Sequence, residues 1–316
     1  MRRGWFVRIV LLAAAVTGMA APASAQTSAA AAAASAPPAA REVRFPGRGE
    51  PGDRRFDFGA ELLTLVLERA GGGWEVRVIE GMKQPRAMQA ARQGDVDVVM
   101  LPNLVSEDSR LIAVRQPLRR GLLGMRLLLA RPDDADRLMR VDNLTALKRD
   151  FVMGYGDTWM DREVLSELGF RLSAGSSYVG LFDMLRAGRF DYLNRGVNEL
   201  GPELADPRLA GQGLVVVPGI ALYYPLDDYF HVTPRRPDLA RAIERGFERA
   251  LADGSYAALF HRHFDAAMRE ARLQQRSIIH VSGYPVPPDT PLEAFDVLGL
   301  VRSTAVFTPP KVNAPR

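Results

Sequence analysis

The sequence predicts an α/β fold built from two similar lobes, and three observations lead there. First, the chain from residue 41 to residue 282 alternates short apolar runs with amphipathic stretches, the pattern of layered strands and helices with largely parallel strands. Second, glycines stand where amphipathic stretches end, as at Gly71, Gly94, Gly169 and Gly188. Third, one unit occurs twice. Arg92-Gln93-Gly94-Asp95-Val96-Asp97 runs into Val98-Val99-Met100, and Arg186-Ala187-Gly188-Arg189-Phe190-Asp191 runs into Tyr192-Leu193. Each is a helix end, a glycine cap, a tight turn, an aspartate and a buried strand. The echo is either reuse of a common turn or the mark of two lobes of like design, and a spacing of about ninety residues suits the second.

In chain order, residues 42–45 form a short strand, followed by a Gly/Pro loop and an amphipathic helix over 56–70 that Gly71-Gly72-Gly73 stops. A strand over 75–79, a helix over 84–93 ending at Gly94 and a buried strand over 96–101 follow. Residues 122–130 are an apolar strand, 144–149 a short helix and 151–153 a strand. Helices over 158–168 and 178–187 close at Gly169 and Gly188, and 190–193 and 214–217 are strands. Helices over 237–252 and 255–271 complete the body. Residues 283–316, with Pro285, Pro287, Pro288, Pro291, Pro309, Pro310 and Pro315, form a strap with a frayed end rather than a domain.

The N-terminus sets the expected compartment. Arg2, Arg3 and Arg8 precede a mostly apolar run over 9–21, and Ala23-Ser24-Ala25 supplies the small-x-small cleavage pattern. The run is shorter than the roughly 20 residues of a spanning helix, so residues 1–25 are expected to be a cleaved signal peptide and the mature chain a soluble periplasmic protein. Residues 26–40, rich in Ala, Ser and Pro, form a disordered spacer. The absence of cysteine excludes a lipid-modified cysteine, disulfides and thiolate chemistry. Removing Arg2, Arg3 and Arg8 with the signal lowers the formal charge from +4 to +1. The remaining arginines are interspersed with acids and form no stripe, so nucleic acid is not an expected partner.

Several stretches resemble the family-3 solute-binding proteins that serve polar amino acid uptake. They are the two glycine-capped units, Ser106-Glu107-Asp108-Ser109-Arg110 leading to Pro117, and Pro237-Asp238-Leu239-Ala240 with Ala252-Asp253-Gly254-Ser255-Tyr256. The stretches beginning Gln116-Pro117-Leu118, Gly154-Tyr155-Gly156, Gly188-Arg189-Phe190 and Ala221-Leu222-Tyr223 resemble an orphan proteobacterial branch of that family. The resemblance implies the two-lobed type-II periplasmic-binding-protein fold with two hinge crossings. Lobe one comprises residues 41–120 plus 229–282, lobe two residues 121–228, and the crossings lie near 119–125 and 223–228. It further implies capture of an amino acid or similar small polar solute between the lobes, for ABC-type import, by a monomer with a membrane permease or sensor as partner. Two rival readings are a partner protein for a membrane sensor or periplasmic dehydrogenase, and a dehydratase-like enzyme on the same fold.

Ligands of open α/β sheets bind beyond the carboxyl ends of strands, so segments just after strands are the candidates. Gly156-Asp157-Thr158-Trp159 lies between a strand and a helix start whose N–H groups would welcome an anion. Asp157 stands where the family has small neutral residues, and either caps the helix or meets a cationic group of the ligand. Trp159 is either core or pocket wall. After the next strand come Arg195, Asn198 and Glu199, where the family places an acid for the ligand ammonium; Arg195 and Glu199 either bind ligand or pair with each other. Arg110 matches the family arginine that grips a carboxylate. Tyr178 and Asn103 complete the expected site, with Arg55, Arg115, Arg126, Ser177 and Tyr224 as further candidates. His261 and His263 are two apart and point to different helix faces, so no metal site is expected. No nucleophile elbow, Walker loop or dinucleotide fingerprint occurs, and neither a cofactor nor a catalytic residue is expected. The pairs Asp133-Asp134 and Asp227-Asp228 sit in turn contexts and are expected to be solubilising.

Overall fold

A computed structural model describes residues 41–47, 56–104, 110–210, 213–295 and 299. The expected signal peptide and spacer, Arg55, Ser106 to Ser109 and most of the chain after 295 lie outside the described residues. In the first lobe, β1 (Arg41–Pro46) pairs in parallel with β2 (Trp74–Ile79), and α1 (Asp57–Ala70) connects them. Next come α2 (Gln84–Gln93), β3 (Val98–Pro102) and β4 (Ile112–Val114). In the second lobe follow β5 (Met125–Ala130), α3 (Pro132–Leu138), α4 (Leu144–Asp150), β6 (Val152–Gly156), α5 (Arg162–Glu167), β7 (Arg171–Gly175), α6 (Tyr178–Arg186) and β8 (Tyr192–Gly196). After these come α7 (Val197–Ala205), α8 (Pro207–Ala210), β9 (Val215–Val216) and β10 (Ile220–Tyr223). The chain then runs back through β11 (Asp228–Val232), α9 (Pro237–Ala252), α10 (Ser255–Ala271) and β12 (Ser277–His280).

The repeated unit is structural, and its aspartate explains it. Gly94 and Gly188 adopt φ of 80° and 70°, the left-handed region that only glycine enters without strain. The Asp97 N–H then donates to the Arg44 carbonyl (2.9 Å) and the Arg44 N–H to the Asp97 carboxylate (2.8 Å). In the second lobe the Asp191 N–H donates to the Val152 carbonyl (2.9 Å) and the Val152 N–H to the Asp191 carboxylate (2.6 Å). Each aspartate thus satisfies both backbone groups of one residue on the neighbouring strand, just ahead of its own buried strand. The two sites are chemically the same device.

The sheets are mixed rather than largely parallel. β5 runs antiparallel to β8, β9 and β10, and β11 antiparallel to β3 and β4, whereas β6 is parallel to β7 and β8. The exceptions are the strands reached by crossing between lobes, where the chain returns against its previous direction. β4, β7, β10, β11 and β12 fall outside the strands expected from the sequence, because three to five residues carry too few periods to register. Ser277–His280, expected with lobe one, pairs in parallel with β10 and so forms the edge of the seven-stranded sheet β12-β10-β5-β8-β6-β7, to which β9 adds on β5. The segment beyond it straps the crossings: the Tyr284 ring lies 4.5 Å from that of Tyr224, and Phe295 packs on Gly121.

The crossings are bound to one another. Gly124 lies against the Tyr224 carbonyl and accepts the Tyr224 N–H (3.2 Å). The buried Asp227 carboxylate receives N–H groups of Arg119 (3.1 Å), Gly121 (2.6 Å) and Asp228 (2.7 Å), and Asp228 pairs with the Arg119 guanidinium (2.6 Å). Asp227 and Asp228 are therefore structural, not solubilising, and Asp134, clamped by Arg131 and Arg137, is buried as well. What reads as a polar turn is the place where two chain segments meet and need charge compensation.

Burial pushes the Asp227 carboxyl up to about 7. In the folded state it holds a proton over a range, from about pH 4 to 7, in which the unfolded carboxyl has released it. Its contribution to stability is complete below about pH 4 and is lost as pH rises to about 7. Thermal unfolding between pH 4 and 8 should show this slope in the wild type and a smaller one in Asp227→Asn; equal slopes would refute the assignment.

Candidate interlobe ligand site

The crossings hold a cavity of about 160 Å³ between the lobes. Phe56, Met82, Lys83, Met100 and Arg119 line it from the first lobe, and Arg126, Trp159, Tyr178, Arg195 and Glu199 from the second. Its polar wall is a chain of buried ion pairs at the carboxyl ends of β8 and β6. Arg195, at the end of β8, binds Glu203 through Nε (3.0 Å) and a terminal nitrogen (2.5 Å), and approaches Glu199 at 3.1 Å. Glu199 also receives Arg126 (3.1 Å) and the Gly196 N–H (2.7 Å), so it closes the α7 start. Burial opposes the charge on Arg195, but Glu199 and Glu203 hold its pKa well above the usual value, so it remains a cation. Burial pushes the Glu203 carboxyl up against the pull of Arg195.

Aromatic groups position this cluster. β6 extends to Gly156, where an added Cβ would lie 2.5 Å from the Trp159 ring, so the indole folds back onto glycine backbone. Arg195 stands 5.0 Å from the Trp159 ring centroid and 5.6 Å from that of Tyr178, whose hydroxyl donates to Glu203 (2.5 Å). Beneath lies Asp161, buried beside Tyr155, with the Tyr284 hydroxyl at 3.5 Å. Burial pushes its carboxyl up, partly offset by Arg126.

The structure brings Trp159, Tyr178, Arg195, Asn198 and Glu199 together around the cavity, with Asp157 and Thr158 exposed at its mouth. The helix expected over 158–168 begins only at Arg162, because the Trp159 turn intervenes, so Asp157 is not its cap. Of the two readings of Arg195 and Glu199, mutual pairing is the one observed, with Glu203 as the nearer partner. Asn103 is turned to the crossings, its amide donating to the Pro225 carbonyl (3.2 Å). Arg110 is exposed in left-handed backbone (φ 61°) and does not line the cavity. Arg126 and Asp161, which line the cavity, and Glu203, which binds Arg195, are residues that local pattern reading underrated or missed. For Glu203 a signal existed, since acids at 199 and 203 share a helix face, but Pro202 argues against a helix there in the sequence, although α7 runs through it. Asp161 carries none, as its partner Tyr284 comes from 123 residues away. His261 and His263 face apart, pairing with Asp265 (2.8 Å) and Glu61 (3.1 Å), and the described residues contain no group of three metal-binding side chains.

Two lobes, paired crossings and a cavity between them can be compared with solved structures. A histidine kinase sensor domain with similarity to periplasmic binding proteins superposes with a TM-score of 0.53 at 19% identity, covering 71% of this chain and 95% of that one. The fold is that of the periplasmic binding proteins. A mutant arginine-binding protein of T. maritima shares this binding-protein fold (TM-score 0.51, 16% identity, 71% and 95% coverage). So does a structure describing glutathione import via GshT and the cystine ABC importer of Streptococcus mutans (TM-score 0.53, 11% identity, 72% and 95% coverage). No family model and no curated protein sequence matches the chain. No helix among the described residues is long and apolar enough to cross a membrane.

Proposed function

We propose that this chain is an exported, non-enzymatic solute-binding protein that captures an amino acid or similar small polar solute between its lobes and presents it to an ABC-type permease in the membrane. The observation that carries this reading is the cavity itself, lined from both lobes at the hinge, with an arginine-rich, internally compensated polar wall. Its volume is about ten times the room one buried water needs, the scale of a small polar solute. Neighbours sharing the fold are described as handling arginine and glutathione, so the fold supports capture without naming the ligand.

A thermal-shift screen of the exported protein against amino acids, peptides, organic acids and polyamines tests this. A ligand at about 100 times its Kd adds roughly 2.7 kcal/mol and raises Tm visibly. Binding should also alter Trp159 emission, because Arg195 and the Gly156 backbone cover its ring, while Trp74 packs in the first lobe beside Arg41 (3.8 Å). Arg126→Gln should abolish binding and Arg110→Ala should leave it intact. A silent screen would overturn the proposal, and loss of binding on removing Arg110 would move the carboxylate site.

A further inference from the structure

The cleft continues beyond the cavity described above. A second chamber of about 760 Å³ opens between α7 and the α1–α10 pair, lined by Asp57, Phe58, Pro202, Asp206, His263 and Phe264 among others. The two chambers share Arg119, Tyr178, Asn198 and Glu199, so these four side chains form a partition rather than an end wall. At about 10–15 Å³ per small heavy group, the inner chamber suffices for a free amino acid and leaves the larger outer one unused.

From this arrangement we propose that the ligand is a short peptide, about two to four residues long, with its C-terminal carboxylate in the inner chamber and the rest of its chain reaching into the outer. The inference rests on the solute-binding reading and specifies its ligand. Three observations carry it. Arg126, only 6% exposed and lining the inner chamber, keeps a buried Nε without a hydrogen-bond partner, and a carboxylate would satisfy it. Asn198 Oδ1, on the partition, is also buried without a partner, and a peptide N–H is the donor it lacks. The outer chamber's charged groups pair within the protein, Glu203 with Arg195 (2.5 Å), Asp206 with Arg208 (2.6 Å), Arg119 with Asp228 (2.6 Å) and Arg262 with Glu61 (2.6 Å). Phe58, Pro202, Leu209 and Phe264 supply apolar surface for the peptide's side chains. A polyamine offers Arg126 no carboxylate, and a dicarboxylate offers the outer chamber's apolar surface no side chain.

The test incubates the full exported protein with an equimolar mixture of the twenty amino acids and a tripeptide library, and reads bound masses by native mass spectrometry. Tripeptides should be retained preferentially. The best retained tripeptide should bind at least tenfold more weakly when C-amidated. Gly201→Trp and Ala205→Trp fill the outer chamber from α7, where a Cβ at Gly201 meets nothing nearer than the Glu270 carboxylate at 3.9 Å. Either variant should weaken tripeptide binding at least tenfold and leave amino acid binding unchanged. Retention of amino acids alone, or tripeptide affinity indifferent to both variants, overturns the inference while the solute-binding reading stands. Retention of neither class, with a silent wider screen, overturns both.

Discussion

Glu203→Ala should destabilise the protein by about 3–5 kcal/mol, the largest loss expected from any single substitution in the cleft. Two arginines, Arg126 and Arg195, would then share Glu199 alone, and neither can shed its charge as a buried carboxyl can. The asymmetry is testable. Arg195→Met should cost less, because Glu203, whose carboxyl burial already pushes up, can take a proton. The double variant Arg195→Met with Glu203→Leu should recover much of the loss, since a buried pair replaced by apolar groups of similar volume is often neutral. Urea unfolding of the wild type and the three variants measures these losses. A Glu203→Ala midpoint within error of the wild type would show that water already compensates Arg195.

Gly124→Ala should cost about 3 kcal/mol and weaken ligand capture together. The added methyl would press on the Tyr224 carbonyl and on the Leu226 N–H and carbonyl, all backbone atoms of the opposite crossing that cannot rotate aside. Separating the crossings would stretch the Tyr224 N–H bond to Gly124 and the Asp227 clamp on Arg119 and Gly121. Gly201→Ala, with open space at its Cβ, serves as the control and should remain within about 0.5 kcal/mol of the wild type. Denaturant midpoints at unchanged m, together with affinity measured by titration calorimetry, give both readouts. An unaltered midpoint would mean that the crossings are free to part.

Much of this was legible in the chain. The helices α1, α2, α9 and α10 follow from amphipathic periodicity and glycine stops. The doubled helix–glycine–aspartate unit anticipated the clamps at Arg44 and Val152 without showing what the aspartates do. Trp159, Arg195, Asn198 and Glu199, singled out because they follow strands, line the cavity, and so does Tyr178. Asn103 and Asp227 were misjudged for one shared reason. Their partners lie on the opposite crossing, more than a hundred residues away, and a polar residue in a turn context looks the same whether it faces water or another chain segment.

The sequence by itself determined the alternation of elements, the two-lobe plan and the cluster of candidates after β6 and β8, because these depend on period and local turn chemistry. Only the tertiary structure decided how charge is distributed in the cleft. Arg195 is neutralised by Glu199 and Glu203, whereas Arg126 and Asn198 retain buried polar atoms without partners, and a second chamber opens beyond them. Such pairing depends on distances of a few ångströms between elements from separate parts of the chain, and the buried environment makes each pairing cost or contribute several kcal/mol.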